Sequence, residues 1–359
     1  MTTGMVLGKF LPPHAGHRYL VDFALEHVDA LTVLVCTLDR EPIPGDLRFA
    51  WMREICPGAR VVHVTEDLPQ EPSEHSAFWE IWKGVVRRFF PEGPDRVFAS
   101  EDYGATLAEV LGAEYAPVDP DRTLFPVSGT AIRRDPLGNW PFIPPCVRPY
   151  YAKRVCVFGP ESTGKTTLTK DLAAHYGTVW VPEYARPLLD PKEGRCDFED
   201  IEKIARGQAA SEDALARRAN RLLFCDTDHL TTTIWSEVLF GSCPAWIREE
   251  ARRRSYDLTL LLDVDVPWVD DCQRYLPHER EAFLDRCRRA LEAADRPHTL
   301  VSGSWEERFR SACNAVDRML NESGKREGIP QRRRDAEARG RQGTKGKRRE
   351  NENPEPGRG

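Results

Sequence analysis

Residues Gly159-Pro160-Glu161-Ser162-Thr163-Gly164-Lys165-Thr166 decide how this chain is read. They fit G-x-x-x-x-G-K-[ST]. They follow the apolar run Arg154-Val155-Cys156-Val157-Phe158 and precede a helix pattern with Leu168, Leu172 and Ala173 on one face. A strand before and a helix after are the context in which this spacing binds phosphate. The glycines let the backbone N–H groups of Glu161, Ser162 and Thr163 wrap phosphate oxygens. A helix starting near Lys165 turns its positive end toward the same oxygens, with Thr167 in its first turn. Lys165 would neutralise the β- and γ-phosphates, and the Thr166 hydroxyl would ligate Mg²⁺.

Downstream, strand-like runs at Thr178–Val181, Arg221–Cys225, Leu258–Leu262 and Thr299–Val301 alternate with helical patterns, the last at about Trp305–Leu320. Such alternation implies a parallel sheet, whose ligands gather at the carboxyl ends of its strands. Asp226 and Asp228 stand at such an end. Either could hold Mg²⁺, Asp226 being the expected ligand, or accept a proton from an attacking hydroxyl; which of them is the base stays open. Glu183, Tyr184 and Arg186 follow another strand and suit a polar small substrate. Trp268, Asp270 and Asp271 come after a third and are further candidates to bind the substrate, and Arg274 and Arg280 could close over the phosphates as a lid.

The N-terminal part repeats the grammar. Gly4-Met5-Val6-Leu7-Gly8 reads as a strand, then Lys9-Phe10-Leu11-Pro12-Pro13-His14-Ala15-Gly16-His17 as a turn into an amphipathic helix over His17–His27. Two imidazoles at a helix N-terminus, with Gly16 between them, offer N–H donors to a nucleotide phosphate. Further strands are expected at Leu31–Cys36, Arg60–Val64, Arg96–Ala99 and Glu114–Val118, and a helix at Ser76–Phe90. Ser128 reads as an N-cap before Gly129, Thr130 and Arg133, which would face the same phosphates. Arg134 is the alternative to Arg133, since adjacent residues do not share a helix face.

The boundaries follow from composition. Residues 1–135 and 153–322 are the two domains. Residues 136–152, with Pro136, Pro141, Pro144, Pro145 and Pro149, read as an extended connector. Residues 323–359 read as a disordered basic tail that cannot bury enough apolar surface to fold. The net charge is −6. Residues 321–359 hold twelve Lys and Arg against seven Asp and Glu, so the preceding 320 residues hold 39 against 50. That acidic body disfavours general nucleic-acid binding, although Arg332-Arg333-Arg334 and Lys347-Arg348-Arg349 in the tail could touch nucleic acid or an acidic partner. Ten cysteines without a Cys-x-x-Cys pair, no signal-like N-terminus and no long apolar run predict a cytoplasmic protein with scattered thiols and no membrane span.

Gly8-x-Phe10-x-Pro12-x-His14-x-Gly16-His17 with Ser128-Gly129-Thr130-x-x-Arg133 resembles the nucleotidyltransferase superfamily, as does Ser100-Glu101-Asp102-Tyr103-Gly104. The order that follows is Phe142-Ile143-Pro144, Arg148-Pro149, the phosphate loop, Glu183-Tyr184-Ala185-Arg186, Asp226-Thr227-Asp228 with Thr231-Thr232, and Trp268-Val269-Asp270-Asp271. Over residues 4–320 this is similar to the NadR-type proteins, in which a nicotinamide-nucleotide adenylyltransferase is joined to a ribosylnicotinamide kinase.

The resemblance implies an α/β chain with an N-terminal Rossmann-like nucleotidyltransferase domain followed by a P-loop kinase domain. It implies nicotinamide riboside, NMN and ATP as substrates, with Mg²⁺. His14, His17, Thr130 and Arg133 would serve adenylyl transfer, with Gly8, Lys9, Phe10, Gly16, Ser128 and Gly129 around the nucleotide. Lys165, Asp226 and Asp228 would serve phosphorylation. With the motif opening at Gly8, no helix-turn-helix repressor domain is expected, and homo-oligomerisation is left open. The sequence departs from the pattern at Cys272, where glycine is expected, and at Pro187. The alternatives are a transferase and kinase for another phosphorylated alcohol, or an ATP-sensing regulator.

Overall fold

The structure is a computed structural model that describes residues 1–271 and 273–325, with side chains described to residue 322. Cys272 and the tail from residue 326, with both of its arginine-rich runs, lie outside the described residues. The described chain divides into two compact units, residues 1–134 with 141–144, and residues 135–140 with 145–325.

In the first unit the order is β1 (Thr3–Gly8), α1 (Ala15–Leu25), β2 (Ala30–Cys36), α2 (Gly45–Ile55), β3 (Arg60–Val64), α3 (Phe78–Arg87), β4 (Arg96–Ala99), α4 (Tyr103–Leu111), β5 (Glu114–Pro117) and α5 (Gly129–Arg134). The sheet order is β3-β2-β1-β4-β5, and every pairing is parallel. Strands β1 and β2 are near-continuous apolar runs because helices cover both faces of a parallel sheet. Met5, Leu34 and Val97 pack with Trp82, Val85 and Val86 of α3 and with Leu107 of α4. The chain runs from β1 out to β3, then returns to the other side of β1 as β4. The crevice opened by that reversal, at the carboxyl ends of β1 and β4, is where a ligand binds in such folds.

The second unit contains α6 (Arg148–Tyr151), β6 (Lys153–Phe158), α7 (Lys165–His175), β7 (Trp180–Val181), α8 (Ala185–Leu189), α9 (Phe198–Ala216), β8 (Leu222–Asp226), α10 (His229–Phe240), α11 (Ala245–Arg253), β9 (Leu258–Leu262), α12 (Arg280–Ala293), β10 (His298–Val301) and α13 (Trp305–Lys325). Its parallel sheet has the order β10-β9-β6-β8-β7. Val155, Val157, Phe224 and Leu260 form a core with Leu172 of α7 and with Ala312 and Val316 of α13.

Three expectations change. The proline-rich stretch is not extended throughout: Trp140–Phe142 forms a 3₁₀ turn, and Pro149 sits in the first turn of α6. Proline is tolerated there because its missing N–H has no intrahelical partner to lose. Pro187 is accommodated in the first turn of α8 for the same reason. The last helix continues to Lys325, three residues into the segment read as tail.

Two candidate phosphate-binding sites

In the first unit a cleft of about 730 Å³ opens at the carboxyl ends of β1 and β4. Gly8, Lys9, Phe10, His14, Gly16, His17, Ser128, Gly129, Thr130 and Arg133 all line it. The two halves of the motif, over a hundred residues apart in sequence, therefore share one cavity. Ser128 Oγ accepts the Ala131 N–H at 3.1 Å and starts α5. Gly129 lies so close to the first motif that a Cβ there would stand 2.5 Å from the Leu11 carbonyl oxygen. Arg133 donates to that same carbonyl and, at 3.0 Å, to Thr130 Oγ1, while Arg134 is exposed. Phe10 is buried and stands edge-on to His17, with ring centroids 4.9 Å apart, so it supports the histidine.

The rings of His14 and His17 stack, with centroids 3.7 Å apart. The backbone N–H of His14 donates to His17 Nδ1 at 3.3 Å, which leaves the His17 proton on Nε2 as a donor. Burial, reinforced by the Arg122 charge, lowers His14 to about 4. Burial, then His14 and Arg122, holds His17 well below the usual imidazole range. Both rings are neutral near pH 7, so they offer N–H groups and not charge. Positive charge in the cleft comes from Lys9, Arg133 and Arg122.

Arg122 carries no recognisable spacing in the sequence. The Asp119 carboxylate, accepting N–H groups from Thr123, Leu124 and Phe125, shapes the loop that presents it. Arg48 was equally silent. It is fully buried under the cleft and donates to the Lys9 carbonyl at 2.6 Å and to Glu41 at 2.5 Å. Ser100, Glu101 and Tyr103 also line the cleft, and the Tyr103 hydroxyl donates to the Leu7 carbonyl at 2.6 Å.

In the second unit a cavity of about 160 Å³ lies beside the phosphate loop, where β6 and β8 end. Glu161 through Thr167 border it, with Glu183, Arg186 and Arg274. Gly159 ends the strand side of the loop. Gly164 takes φ +85, and the Trp305 ring occupies the space a Cβ would need. Lys165 Nζ donates to the Pro160 carbonyl at 2.7 Å, and Thr163 Oγ1 to the same oxygen at 2.8 Å.

Asp226 and Asp228 have different surroundings. Asp226 Oδ2 accepts the Thr166 hydroxyl at 2.5 Å, while Oδ1 is buried with no hydrogen-bond partner. Burial and the nearby Glu183 charge raise Asp226 to about 6, against the pull of Lys165 and Thr166. Asp228 is the N-cap of α10: Oδ1 accepts the Thr231 N–H at 2.9 Å, and Oδ2 is taken by Arg296. Its expected catalytic part is corrected accordingly, because both oxygens are committed in a fully buried setting. Thr166 and Asp226 together present a hydroxyl and an unpartnered carboxylate oxygen, a donor set that suits Mg²⁺.

Other expectations are also revised. The Tyr184 ring packs on Gly207 of α9, and its N–H donates to Gln208, so it is a packing residue beside the cavity. The Glu161 side chain is turned to another segment, its carboxylate accepting the Tyr275 and Leu276 N–H groups, so only its backbone N–H is left for phosphate. Asp271 pairs with Arg186 and Arg274, each at 3.0 Å. Trp268 lies under the guanidinium groups of Arg274 and Arg280, 5.9 and 5.8 Å from its ring centre. Asp270 is exposed. Trp268, Asp270, Asp271 and Arg280 stand outside the cavity wall, whereas Gln208, Trp235 and Gln273, which no motif had singled out, form part of it.

Residues 154–308 match the family described as an AAA domain. The chain is 30% identical over 347 residues to the trifunctional NAD biosynthesis/regulator protein NadR of Escherichia coli K12, covering 89% of this chain and 84% of that protein; the Salmonella typhimurium LT2 protein matches equally. The fold resembles the crystal structure of a NadR protein in complex with NR (TM-score 0.73, 21% identity) and one in complex with NAD and AMP-PNP (TM-score 0.71, 24% identity). Each comparison covers 89% of this chain and 96% of the other. With two phosphate-binding loops on two parallel sheets and this extent of sequence identity, the chain belongs to the NadR family.

Proposed function

We propose that the chain makes NAD in two steps, phosphorylating nicotinamide riboside with ATP in the second unit and adenylylating the resulting mononucleotide with ATP in the first. The observation that carries this reading is the pair of separate phosphate-binding loops, each at the carboxyl end of its own sheet, in a member of the NadR family.

In the kinase reaction the riboside 5′-hydroxyl attacks the ATP γ-phosphorus and ADP leaves. Backbone N–H groups of the loop and Lys165 hold the phosphates, and Arg274 reaches the rim of the same cavity. Asp226 is the candidate acceptor of the hydroxyl proton, through Oδ1, its oxygen without a hydrogen-bond partner. Thr166 and Asp226 would hold Mg²⁺, which when bound neutralises phosphate charge. Glu183 and Arg186 on the cavity wall suit the ribose hydroxyls.

In the adenylyl transfer a mononucleotide phosphate oxygen attacks the ATP α-phosphorus, and pyrophosphate leaves. That nucleophile is already ionised, so no strong base is required. Neutral His14 and His17 donate N–H groups, Thr130 a hydroxyl, and Arg133, Lys9 and Arg122 supply charge.

The test is an assay of the purified chain with ATP, Mg²⁺ and either nicotinamide riboside or its mononucleotide, following ADP and pyrophosphate separately. Lys165→Ala should abolish riboside-dependent ADP release and spare pyrophosphate release. His17→Ala should do the reverse, with a loss on the order of 10²-fold. Loss of both activities in a folded Lys165→Ala protein would refute the assignment of two sites.

A further inference from the structure

The side chains of Glu161 and Ser162 point away from the loop they belong to. Glu161 Oε2 accepts the Tyr275 N–H at 2.9 Å and the Leu276 N–H at 3.2 Å. Ser162 Oγ accepts the Val269 N–H at 2.7 Å and Arg274 Nη1 at 3.3 Å. The Ser162 carbonyl accepts Arg280 Nη1 at 3.3 Å, and Arg280 also donates to the Val266 carbonyl at 2.9 Å. Two consecutive residues of the phosphate loop thus hold, by side chain and carbonyl, both ends of the stretch that carries Arg274 and Arg280. At these two positions a phosphate loop needs only the backbone N–H groups for the nucleotide. The side chains at these two positions are therefore free for another task.

We propose that Glu161 and Ser162 are positioning residues of the kinase reaction: they tie the arginine-bearing stretch to the phosphate loop, so that Arg274 and Arg280 are set by the same element that sets the phosphates. This rests on the kinase reading of the second unit. Both N–H groups received by Glu161 converge on one oxygen, so Glu161 acts as an acceptor, and its charge is not needed for the tie. Ser162 holds its end through a hydroxyl placed by a left-handed backbone, φ +54. A side chain that acted by charge, as base or metal ligand, would respond differently to amide replacement.

The experiment compares Glu161→Ala, Glu161→Gln, Arg274→Ala and the double variant Glu161→Ala/Arg274→Ala in the full chain, with ATP, Mg²⁺ and nicotinamide riboside. Glu161→Ala should lower kcat for ADP release by on the order of 10- to 100-fold, the cost of misplacing a charge by about an ångström, with KM for the riboside changed far less. Glu161→Gln, whose amide oxygen can accept the same two bonds, should recover most of that loss. The double variant should be no slower than Arg274→Ala within about 2-fold, because both changes remove one interaction. The proposal is overturned if Glu161→Ala keeps the parent kcat, if the glutamine is as slow as the alanine, or if the two losses multiply. Should Glu161→Ala not melt cooperatively, Ser162→Ala is read in its place, with retained kcat or multiplying losses as the refuting results. ADP release that survives Lys165→Ala would instead refute the kinase reading itself.

Discussion

Arg308 Nη1 donates to the carbonyl of Thr163 at 2.9 Å, from beneath the phosphate loop. The guanidinium is almost completely buried. Its other N–H groups go to the carbonyls of Gly303 and Asp263, each at 3.0 Å, and to Asp265. Trp305, one turn earlier, lies against Gly164. The first turn of α13 is thus the floor on which the loop rests, and the first unit has a counterpart in buried Arg48 under Lys9.

Arg308→Ala should therefore destabilise the second unit by about 3 kcal/mol or more, because buried carbonyls lose their donor. Arg308→Lys should rescue little, since one ammonium cannot reach four acceptors in a plane. Equilibrium urea unfolding checks both, and ADP release should fall in parallel. Parent-like stability of the alanine variant would contradict the role of floor.

Gly129→Ala places a methyl group 2.5 Å from the Leu11 carbonyl oxygen, inside contact distance. The two halves of the first site must move apart, and Arg133, which donates to that carbonyl, moves with them. Pyrophosphate release from NMN and ATP should drop on the order of 10²-fold, while riboside-dependent ADP release is retained.

Asp226→Asn should stabilise the nucleotide-free chain while ending kinase activity. The folded carboxyl sits at about 6, above its ordinary 3.8, chiefly because burial disfavours the charged form. The folded state therefore binds more protons than the unfolded state between these values, and stability falls as pH rises through that window. At pH 7 and above the full penalty applies, and the neutral amide removes it, a gain of up to about 3 kcal/mol. Thermal melts of both proteins at pH 4 and pH 7.5 test this: the difference should be small at the lower pH and large at the higher.

For His14 the direction is opposite. Its folded value of about 4 lies below the ordinary 6.5, so between these values the unfolded chain takes up the proton and the folded chain does not. Stability of the first unit is fully present above pH 6.5 and declines as pH falls toward 4, by on the order of 3 kcal/mol from this residue. His14→Asn should flatten that part of the melting-temperature profile. An unchanged acid limb in the variant would assign the sensitivity elsewhere.

Both loops were legible in the sequence because each is a local device. Glycine positions, a helix start and a few side chains lie within ten residues, and the strands around them are apolar runs that a parallel sheet buries on both faces. Ser128 announced its cap, and helix geometry left one of Arg133 and Arg134 to face the cleft. The connector misled because proline is compatible with extended chain and with a first helical turn alike, and only the packing of Trp140 and Tyr150 selects between them.

The amino-acid order thus determined the two parallel sheets, the two anion-binding turns and the set of side chains from which each site is drawn. Tertiary structure alone decided their division of labour. Asp226 is left with a bare oxygen beside Thr166, while Asp228, two residues on, is committed to a helix end and to Arg296. Arg48, Arg122 and Arg308 acquire their positions from partners distant in the chain, Arg308 from a loop 145 residues earlier. Local sequence encodes backbone shape, whereas the burial and pairing of a charge depend on which distant elements close over it.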